Sequence, residues 1–333
     1  MPKPRRVTVL GDGGWGTCLG VLLWAQGHRV TLWGAFADYV SEMRRARENT
    51  KFLPGVRLPP ELNLTADLTE SWDGCEALVV AVPSQYLRSV LRRCSGGPWD
   101  KVLTVSVVKG IDPESLQRMS ELIRDLVPAK RLAVLSGPTI SYEVARGVPT
   151  TAVAASEDSA AARETQELFT TDRFRVYTSG DVAGVELGGS LKNVIAIASG
   201  AADGLGFGTN TKAALVTRGL AEISRLGIAM GAQEKTFSGL SGLGDLITTC
   251  FSTHSRNRHV GEEIGRGKSM AEVTSGLGSK VAEGVVTAKS GYELGRKHRV
   301  EMPITTSVYQ VLYEGRPARE AVRDLMLRPP KPE

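Results

Sequence analysis

Residues 7–20 read VTVLGDGGWGTCLG: an apolar run, then Gly11-x-Gly13-x-x-Gly16, then the start of an apolar helix. That is the order of a strand feeding a phosphate-binding turn. Gly11 permits the tight turn. Gly13 lets a pyrophosphate approach the backbone. Gly16 lets the helix pack close to the strand, with its N-terminal N–H groups facing the phosphates. Glycine-rich turns are common, so the spacing alone is a weak signal. The apolar strand before it and the apolar helix after it supply the context that makes it a dinucleotide-binding fingerprint.

Outward from that turn, the first two-thirds of the 333 residues alternates short apolar runs with helical patterns. This argues for a parallel sheet with crossover helices. Strands are expected at Arg6–Leu10, Arg29–Trp33, Ala77–Val82, Val102–Val107, Leu132–Leu135 and Thr150–Ala155. Helices are expected at Thr17–Gln26 and about 159–169, and 42–64 reads as a helix followed by an irregular connection. Ligands of open sheets bind beyond the carboxyl ends of the strands. Pro83-Ser84, Lys109-Gly110 and Gly137-Pro138 each follow a strand and are expected to face one crevice.

After Asp181 clear strands stop. Leu187, Leu191, Val194, Ile195 and Ala198 recur at helical spacing up to Gly200. Further helices are expected over Thr211–Gly231, 258–265, 280–298 and 304–314. The chain thus divides into an α/β Rossmann domain for dinucleotide binding (1–185), an all-α domain (186–327) and a proline-rich, charged, flexible tail (328–333).

Composition narrows the function classes. The length suffices for two domains. A net charge of +5 suits anionic ligands without establishing them. There is no zinc-finger spacing, RNP-like motif or long basic run, so no nucleic-acid partner is expected. Cys18, Cys75, Cys94 and Cys250 form no CxxC pair, the four histidines are scattered, and no metal site is expected. Cys18 falls on the buried face of the first helix. No apolar run approaches the ~18 residues of a membrane span. The first apolar stretch is broken by Asp12 and its glycines, unlike a signal peptide, so a cytoplasmic protein is expected.

Several residues suggest chemistry. Lys192-Asn193 lies within the apolar helix, where lost hydration lowers an ammonium pKa from ~10.4 toward neutrality. That suits a general acid protonating a carbonyl oxygen; by periodicity alone, a lysine reaching out to water is the simpler reading. Gly239-Leu-Ser-Gly242-Leu-Gly244-Asp245 ends in an acid able to hold an ammonium or a substrate hydroxyl, or simply to cap a helix. Ser255-Arg256-Asn257-Arg258 precedes an apolar-patterned helix that ends near Gly265, with Ser255 or Asn257 as its candidate cap. Its free N–H groups and a guanidinium suit a phosphate, although a capped helix with solvated arginines fits equally. Lys109, at a strand's carboxyl end, reads as ligand-facing. Glu283-Gly284 and Trp15 are weaker candidates, and Trp15 is either core or a lid over the pyrophosphate.

Together these segments resemble bacterial-type NAD(P)-dependent glycerol-3-phosphate dehydrogenases. The matching pieces are GDGGWGTCLG (11–20), AVPSQ (81–85), SVVKGI (106–111), SGPTISYEVARGVPT (136–150) and VELGGSLKNVIAIASGAADGLGFG (185–208). KAALVTRGLAEISRLG (212–227), FSGLSGLGDLITTC (237–250), HSRNRHVG (254–261) and MPIT (302–305) follow in family order. The resemblance implies a helical domain like that of 6-phosphogluconate dehydrogenase and an active site between the two domains. It also implies NAD or NADP as cofactor, a homodimer, and reversible reduction of dihydroxyacetone phosphate to sn-glycerol 3-phosphate for phospholipid synthesis. By similarity, Lys192 is the proton donor or acceptor, with Lys109 and Asp245 beside the substrate oxygens. Gly137, Thr139, Asn193, Thr249, Ser255, Arg256 and Asn257 would surround the glycerol phosphate. Gly14, Trp15, Lys109, Ser141, Arg256, Val281 and Glu283 would contact the nucleotide with the glycine turn.

Two departures stand out. Many relatives carry a His-Arg pair just past the second strand, suited to the 2′-phosphate of NADPH; here the positions are Ala35 and Phe36. The acid that takes the ribose 2′-hydroxyl in NAD-specific folds is also missing, because Gly34 follows Trp33. Asp38, Arg44 and Arg45 come later, and cofactor preference stays open. Relatives also often have Ser where Thr139 keeps the hydroxyl. A competing reading within the fold group is a hydroxyacid or sugar-nucleotide dehydrogenase. The latter needs a nucleophilic cysteine, for which Cys250 is the candidate. A non-catalytic nucleotide sensor is a third reading, but it would be expected to have lost Lys192, Asp245 or Arg256.

Overall fold

A computed structural model describes residues 3–278, 281–330 and 332. Its strands are β1 (Arg6–Leu10), β2 (Arg29–Trp33), β3 (Glu48–Asn49), β4 (Leu53–Arg57), β5 (Asn63–Thr65), β6 (Ala77–Val80), β7 (Leu103–Ser106), β8 (Arg131–Ser136), β9 (Thr150–Ala155) and β10 (Phe174–Ser179). Eight of them form one sheet in the order β10-β9-β8-β7-β6-β1-β2-β5, and β3 pairs with β4 as a separate hairpin. The central strands are buried on both faces, which is why they read as unbroken apolar runs rather than alternating ones. Val7, Val9, Leu32, Val79 and Val105 pack against Leu19 and Leu23 of the helix Gly14–Ala25. Leu10, Trp33, Leu78 and Val80 meet Leu87, Trp99 and Leu122 on the other face.

The all-parallel expectation needs one correction: β9 runs antiparallel to β8, and every other adjacent pair of the sheet is parallel. The β8–β9 connection holds only the five-residue helix Ser141–Ala145. Such a helix, about 7.5 Å long, cannot carry the chain back along the sheet. The first helix begins at Gly14, not Thr17, so the glycine turn itself forms the helix N-terminus. The region 42–64 is more regular than expected: the helix Ala37–Ala46, the hairpin and β5. β10 was not legible because it is an edge strand with exposed Arg175 and Tyr177, leaving no continuous apolar run.

In register, Leu10 stands between Trp33 and Val80, Val80 beside Ser106, and Ser106 beside Val134. The carboxyl ends of β1, β2, β6, β7 and β8 therefore line one edge. Over that edge lies the helix Val182–Gly204, nearly all of it buried, as expected of a helix apolar all round. Its neighbours include the helices Thr209–Ala229, Arg256–Gly265 and Glu283–His298. The C-terminal core is built on Leu187, Leu191, Ile195, Ile223, Phe237 and Leu246. Helices are also present at Ser84–Arg93, Met119–Leu126, Met270–Leu277 and Ala318–Met326. Residue 280, where one helix was expected to begin, lies outside the described residues, as do 331 and 333 of the expected tail; Arg328 of that tail is ion-paired to Glu301.

A glycine pair locks Val182–Gly204 against Arg256–Gly265. A Cβ on Gly200 would stand 1.9 Å from the Arg258 carbonyl oxygen, and one on Gly261 would stand 1.9 Å from that of Ile197. Backbone cannot rotate away as a side chain can. Gly200→Ala is therefore expected to lower unfolding stability by about 2 kcal/mol, the overpacking penalty exceeding alanine's helix preference of up to ~1 kcal/mol. Chemical denaturation measures it; unchanged stability would contradict this packing.

Candidate active site

The glycine turn carries distinct constraints at each position. Gly11 has φ +116°, and a Cβ there would meet the Ala81 carbonyl oxygen at 2.7 Å. A Cβ on Gly16 would lie 2.0 Å from the Gly11 carbonyl oxygen. Both are needed for the turn to pack. Gly13 faces open space, as it must if a phosphate is to approach the helix N-terminus. Gly14 backs onto the Phe52 carbonyl, and the Trp15 ring packs 6.4 Å from Phe174, centroid to centroid. These features fit a dinucleotide: an open backbone cradle, a free helix end, and strand termini beside it.

Across the crevice, three charges from distant parts of the chain meet. Asp245 is the first residue of the helix Asp245–Phe251, which continues directly from the π-helical turn Leu240–Gly244. It is 1% exposed. One oxygen, Oδ1, accepts from the Lys192 ammonium, and Oδ2 accepts from Lys109 Nζ at 2.7 Å. Lys109 also donates to the Gly137 carbonyl (2.9 Å) and to Thr139 Oγ1 (3.3 Å). Thr249, one turn after Asp245 and so on the same helix face, accepts from Lys192 Nζ at 2.7 Å. Its own hydroxyl donates to the Asp245 carbonyl, also at 2.7 Å. Local glycines allow this convergence. A Cβ on Gly188 would stand 2.6 Å from the Ser241 carbonyl, so only glycine lets the π-helical turn Leu240–Gly244 deliver Asp245 beside Lys192. Gly137, with φ +144°, bends β8's exit toward Lys109.

Burial pulls the Lys192 ammonium down from 10.5 to about 8; Asp245 opposes the shift and Lys109, a like charge, adds to it. One carboxylate thus serves two ammonium groups, and the more deeply buried of the two gives up its proton near pH 8.

A second cluster sits beside the first. Asn257 Nδ2 donates to Asn193 Oδ1 at 2.9 Å, and Asn257 Oδ1 accepts from the Gly284 N–H at 2.9 Å. Ser255 caps its helix by accepting from Arg258 N at 3.2 Å, so the helix opens at Arg256 rather than 258, and Asn257 lies within it. Arg256 is exposed in the first turn. Its charge acts on Glu283, whose carboxyl burial pushes up. Glu283 Oε1 accepts from Ser84 N at 3.5 Å, joining the Pro83-Ser84 strand end to the helical part.

Lys109, Gly137, Thr139, Lys192, Asp245 and Thr249 are therefore directly connected, and Asn193, Ser255, Arg256, Asn257 and Glu283 adjoin them. Ser141 opens the helix two residues past Thr139, and Val281 precedes Glu283; among the described residues no hydrogen bond ties them or Trp15 to the cluster. Sequence reasoning missed Glu186. This buried acid accepts from Arg118 Nη1 (2.8 Å), Ser120 N (2.7 Å) and Ser120 Oγ (2.6 Å), and so pins the long helix to the sheet domain. Nothing in its apolar surroundings announced that role. No group of histidine, cysteine and carboxylate side chains suited to a metal occurs among the described residues.

A parallel-sheet glycine turn facing a buried lysine–carboxylate pair on a helical domain defines a nicotinamide-nucleotide-dependent dehydrogenase. Comparison with known proteins narrows the class. The family model described as NAD-dependent glycerol-3-phosphate dehydrogenase N-terminus matches residues 6–162, and its C-terminal counterpart matches 181–323. The chain belongs to the NAD-dependent glycerol-3-phosphate dehydrogenase family. It is 50% identical over 332 residues to a protein of Citrifermentans bemidjiense named glycerol-3-phosphate dehydrogenase (NAD(P)+), covering 99% of each chain. A protein of the same name from Geobacter sulfurreducens is likewise 50% identical, with 99% of each chain covered. The crystal structure of glycerol-3-phosphate dehydrogenase from Coxiella burnetii superposes with a TM-score of 0.94 at 36% identity, covering 98% of this chain and 99% of that one. A D-mandelate dehydrogenase, at 12% identity and TM-score 0.63, shares the fold alone. No described helix is long and apolar enough to cross a membrane.

Proposed function

We propose that this protein transfers hydride reversibly between NAD(P)H and dihydroxyacetone phosphate, giving sn-glycerol 3-phosphate. The observation that carries the reading is Asp245 held between Lys192 and Lys109 in the crevice beyond the strand ends. The bound nicotinamide supplies the hydride to the ketone carbon. Lys192 donates its proton to the ketone oxygen as charge develops there, and takes it back in the reverse direction. Asp245 holds the ammonium in place, and Thr249 fixes its direction. Lys109 and Thr139 line the substrate side with Gly137. Arg256, Ser255, Asn193 and Asn257 gather round the remote phosphate, whose binding orients the ketone for attack. The glycine turn, with Trp15, Ser141, Val281, Arg256 and Glu283, holds the nucleotide. In this division 1–185 supplies the dinucleotide cradle and 186–327 the proton donor and the phosphate-binding groups, with residues of each lent to the other's ligand across the crevice. A cytoplasmic homodimer supplying glycerophospholipid synthesis fits the family. The test is to mix the purified protein with dihydroxyacetone phosphate and NADH or NADPH and follow nucleotide oxidation and product identity. Stoichiometric glycerol 3-phosphate is expected; nucleotide binding without turnover contradicts the reading.

The sugar-nucleotide alternative is disfavoured by Cys250. Its thiol is fully buried and pushed up to about 12, so it supplies no thiolate nucleophile. Native protein treated with iodoacetamide is expected to keep its activity, with Cys250 unlabelled by mass spectrometry. Labelling of Cys250 that abolishes activity would reverse that judgement.

A further inference from the structure

Asp12 lies inside the glycine turn yet takes no part in the reaction. Its backbone is pinned: the Asp12 carbonyl accepts from Asn49 Nδ2 (2.7 Å) and Thr17 Oγ1 (3.2 Å). Its carboxylate leans toward β2. Oδ2 is buried without a hydrogen-bond partner among the described residues, and a Cβ on Gly34 would stand 2.4 Å from it. Gly34 is the residue immediately beyond β2, and Gly11 N, next to Asp12, donates to the Trp33 carbonyl at 2.9 Å. In dinucleotide folds the end of the second strand is where an acid takes the adenosine ribose 2′-hydroxyl. Here that position has no side chain, and the space a side chain would fill holds a carboxylate delivered from β1. Any larger residue at 34 would collide with Asp12 and with Val40 Cγ2, 2.8 Å from the same Cβ position. The two positions therefore work as a pair.

We propose that Asp12, set into the gap left by Gly34, does the work of the missing acid: Oδ1, the oxygen not buried against Gly34, accepts from the adenosine ribose 2′-hydroxyl, and the carboxylate repels a 2′-phosphate. The protein then prefers NAD(H) to NADP(H). This rests on the nucleotide reading of the crevice. Burial pushes the Asp12 carboxyl up to about 6, with nearby Lys51 opposing, so the group is mostly ionised at pH 7. The two residues that follow Gly34 offer little to a phosphate. Ala35 is uncharged and Phe36 is 73% exposed. Arg44 Nε is committed to the Leu64 carbonyl at 2.7 Å, and the Lys51 ammonium sits 4.0 Å over the Tyr39 ring. A doubly charged 2′-phosphate beside Asp12 would meet like charge, a repulsive element that confers specificity.

The test is fluorescence titration of the full-length protein with NADH, NADPH and 2′-deoxy-NADH, without substrate, alongside turnover of dihydroxyacetone phosphate. Loss of one hydrogen bond to a charged group is worth about tenfold or more in affinity. The parent is expected to bind NADH at least about tenfold more tightly than either of the other two. Asp12→Ala should weaken NADH, strengthen NADPH and bring their ratio toward one. Asp12→Asn should keep NADH within a few-fold and lose discrimination against NADPH. Asp12→Ala should melt no lower than the parent, since it removes a buried carboxylate oxygen with no partner. Equal or tighter NADPH binding by the parent, no loss with 2′-deoxy-NADH, or an unchanged ratio in folded variants overturns the proposal. The expected discrimination without turnover supports Asp12 and overturns the substrate reading instead; failure to bind any nucleotide overturns both.

Discussion

Replacing Lys192 with methionine is expected to lower kcat for dihydroxyacetone phosphate reduction about 10³-fold, within the 10²–10⁴-fold that a positioned general acid contributes. Methionine keeps most of the side-chain volume and removes the ammonium. Asp245 would still hold Lys109 at 2.7 Å, so the fold and the nucleotide cradle on the opposite wall should survive. Nucleotide affinity, measured by titration, should stay within a few-fold of the parent. A variant that retains more than a tenth of the parent kcat would remove Lys192 from the chemistry.

Replacing Asp245 with alanine is expected to be the most damaging single change in both stability and rate. The carboxylate is the shared partner of two ammonium groups, one of them fully buried. Removing one partner of a buried pair typically costs about 3–5 kcal/mol, because the remaining charge is left uncompensated. Lys192 answers by releasing its proton: without Asp245, burial and Lys109 both push its pKa below about 8. Asp245→Asn, which keeps the shape, isolates that effect. Its reduction rate at pH 7 should fall at least about 10²-fold. The pH above which reduction declines should also move down, so that acidification partly restores activity. Loss of rate with an unmoved pH profile would make Asp245 a packing residue only.

The legible parts of this molecule are those that depend on near neighbours in the chain. Gly11, Gly13 and Gly16 announce a cradle because strand, turn and helix are contiguous. Lys109 and Gly137 read as ligand-facing because strand ends are visible in the apolar runs. Lys192 was different. Helical periodicity alone favoured a lysine reaching for water, since the groups that hold it come from elsewhere: Asp245 lies 53 residues away in sequence. Only the family likeness singled it out in the sequence, whereas the structure explains it through Gly188 and the turn at Leu240–Gly244. The antiparallel course of β9 was hidden for a similar reason. Strand direction depends on the length of the connection in space, and local patterning is silent on it. Asp12 was in plain view but read only as an interruption of an apolar stretch, because its meaning depends on Gly34 across the neighbouring strand.

The most direct test of the account measures kcat/KM against pH in both directions with one preparation of the protein. Lys192 must be protonated to donate and neutral to accept, and its pKa in the free protein is about 8. Reduction of dihydroxyacetone phosphate should therefore hold level below that value and fall as pH rises through it. Oxidation of glycerol 3-phosphate should rise through the same region and level off above it. Opposed limbs meeting near pH 8, both lost in Lys192→Met, are the predicted result. Limbs that run in the same direction, or that persist without Lys192, would contradict a single lysine as donor and acceptor.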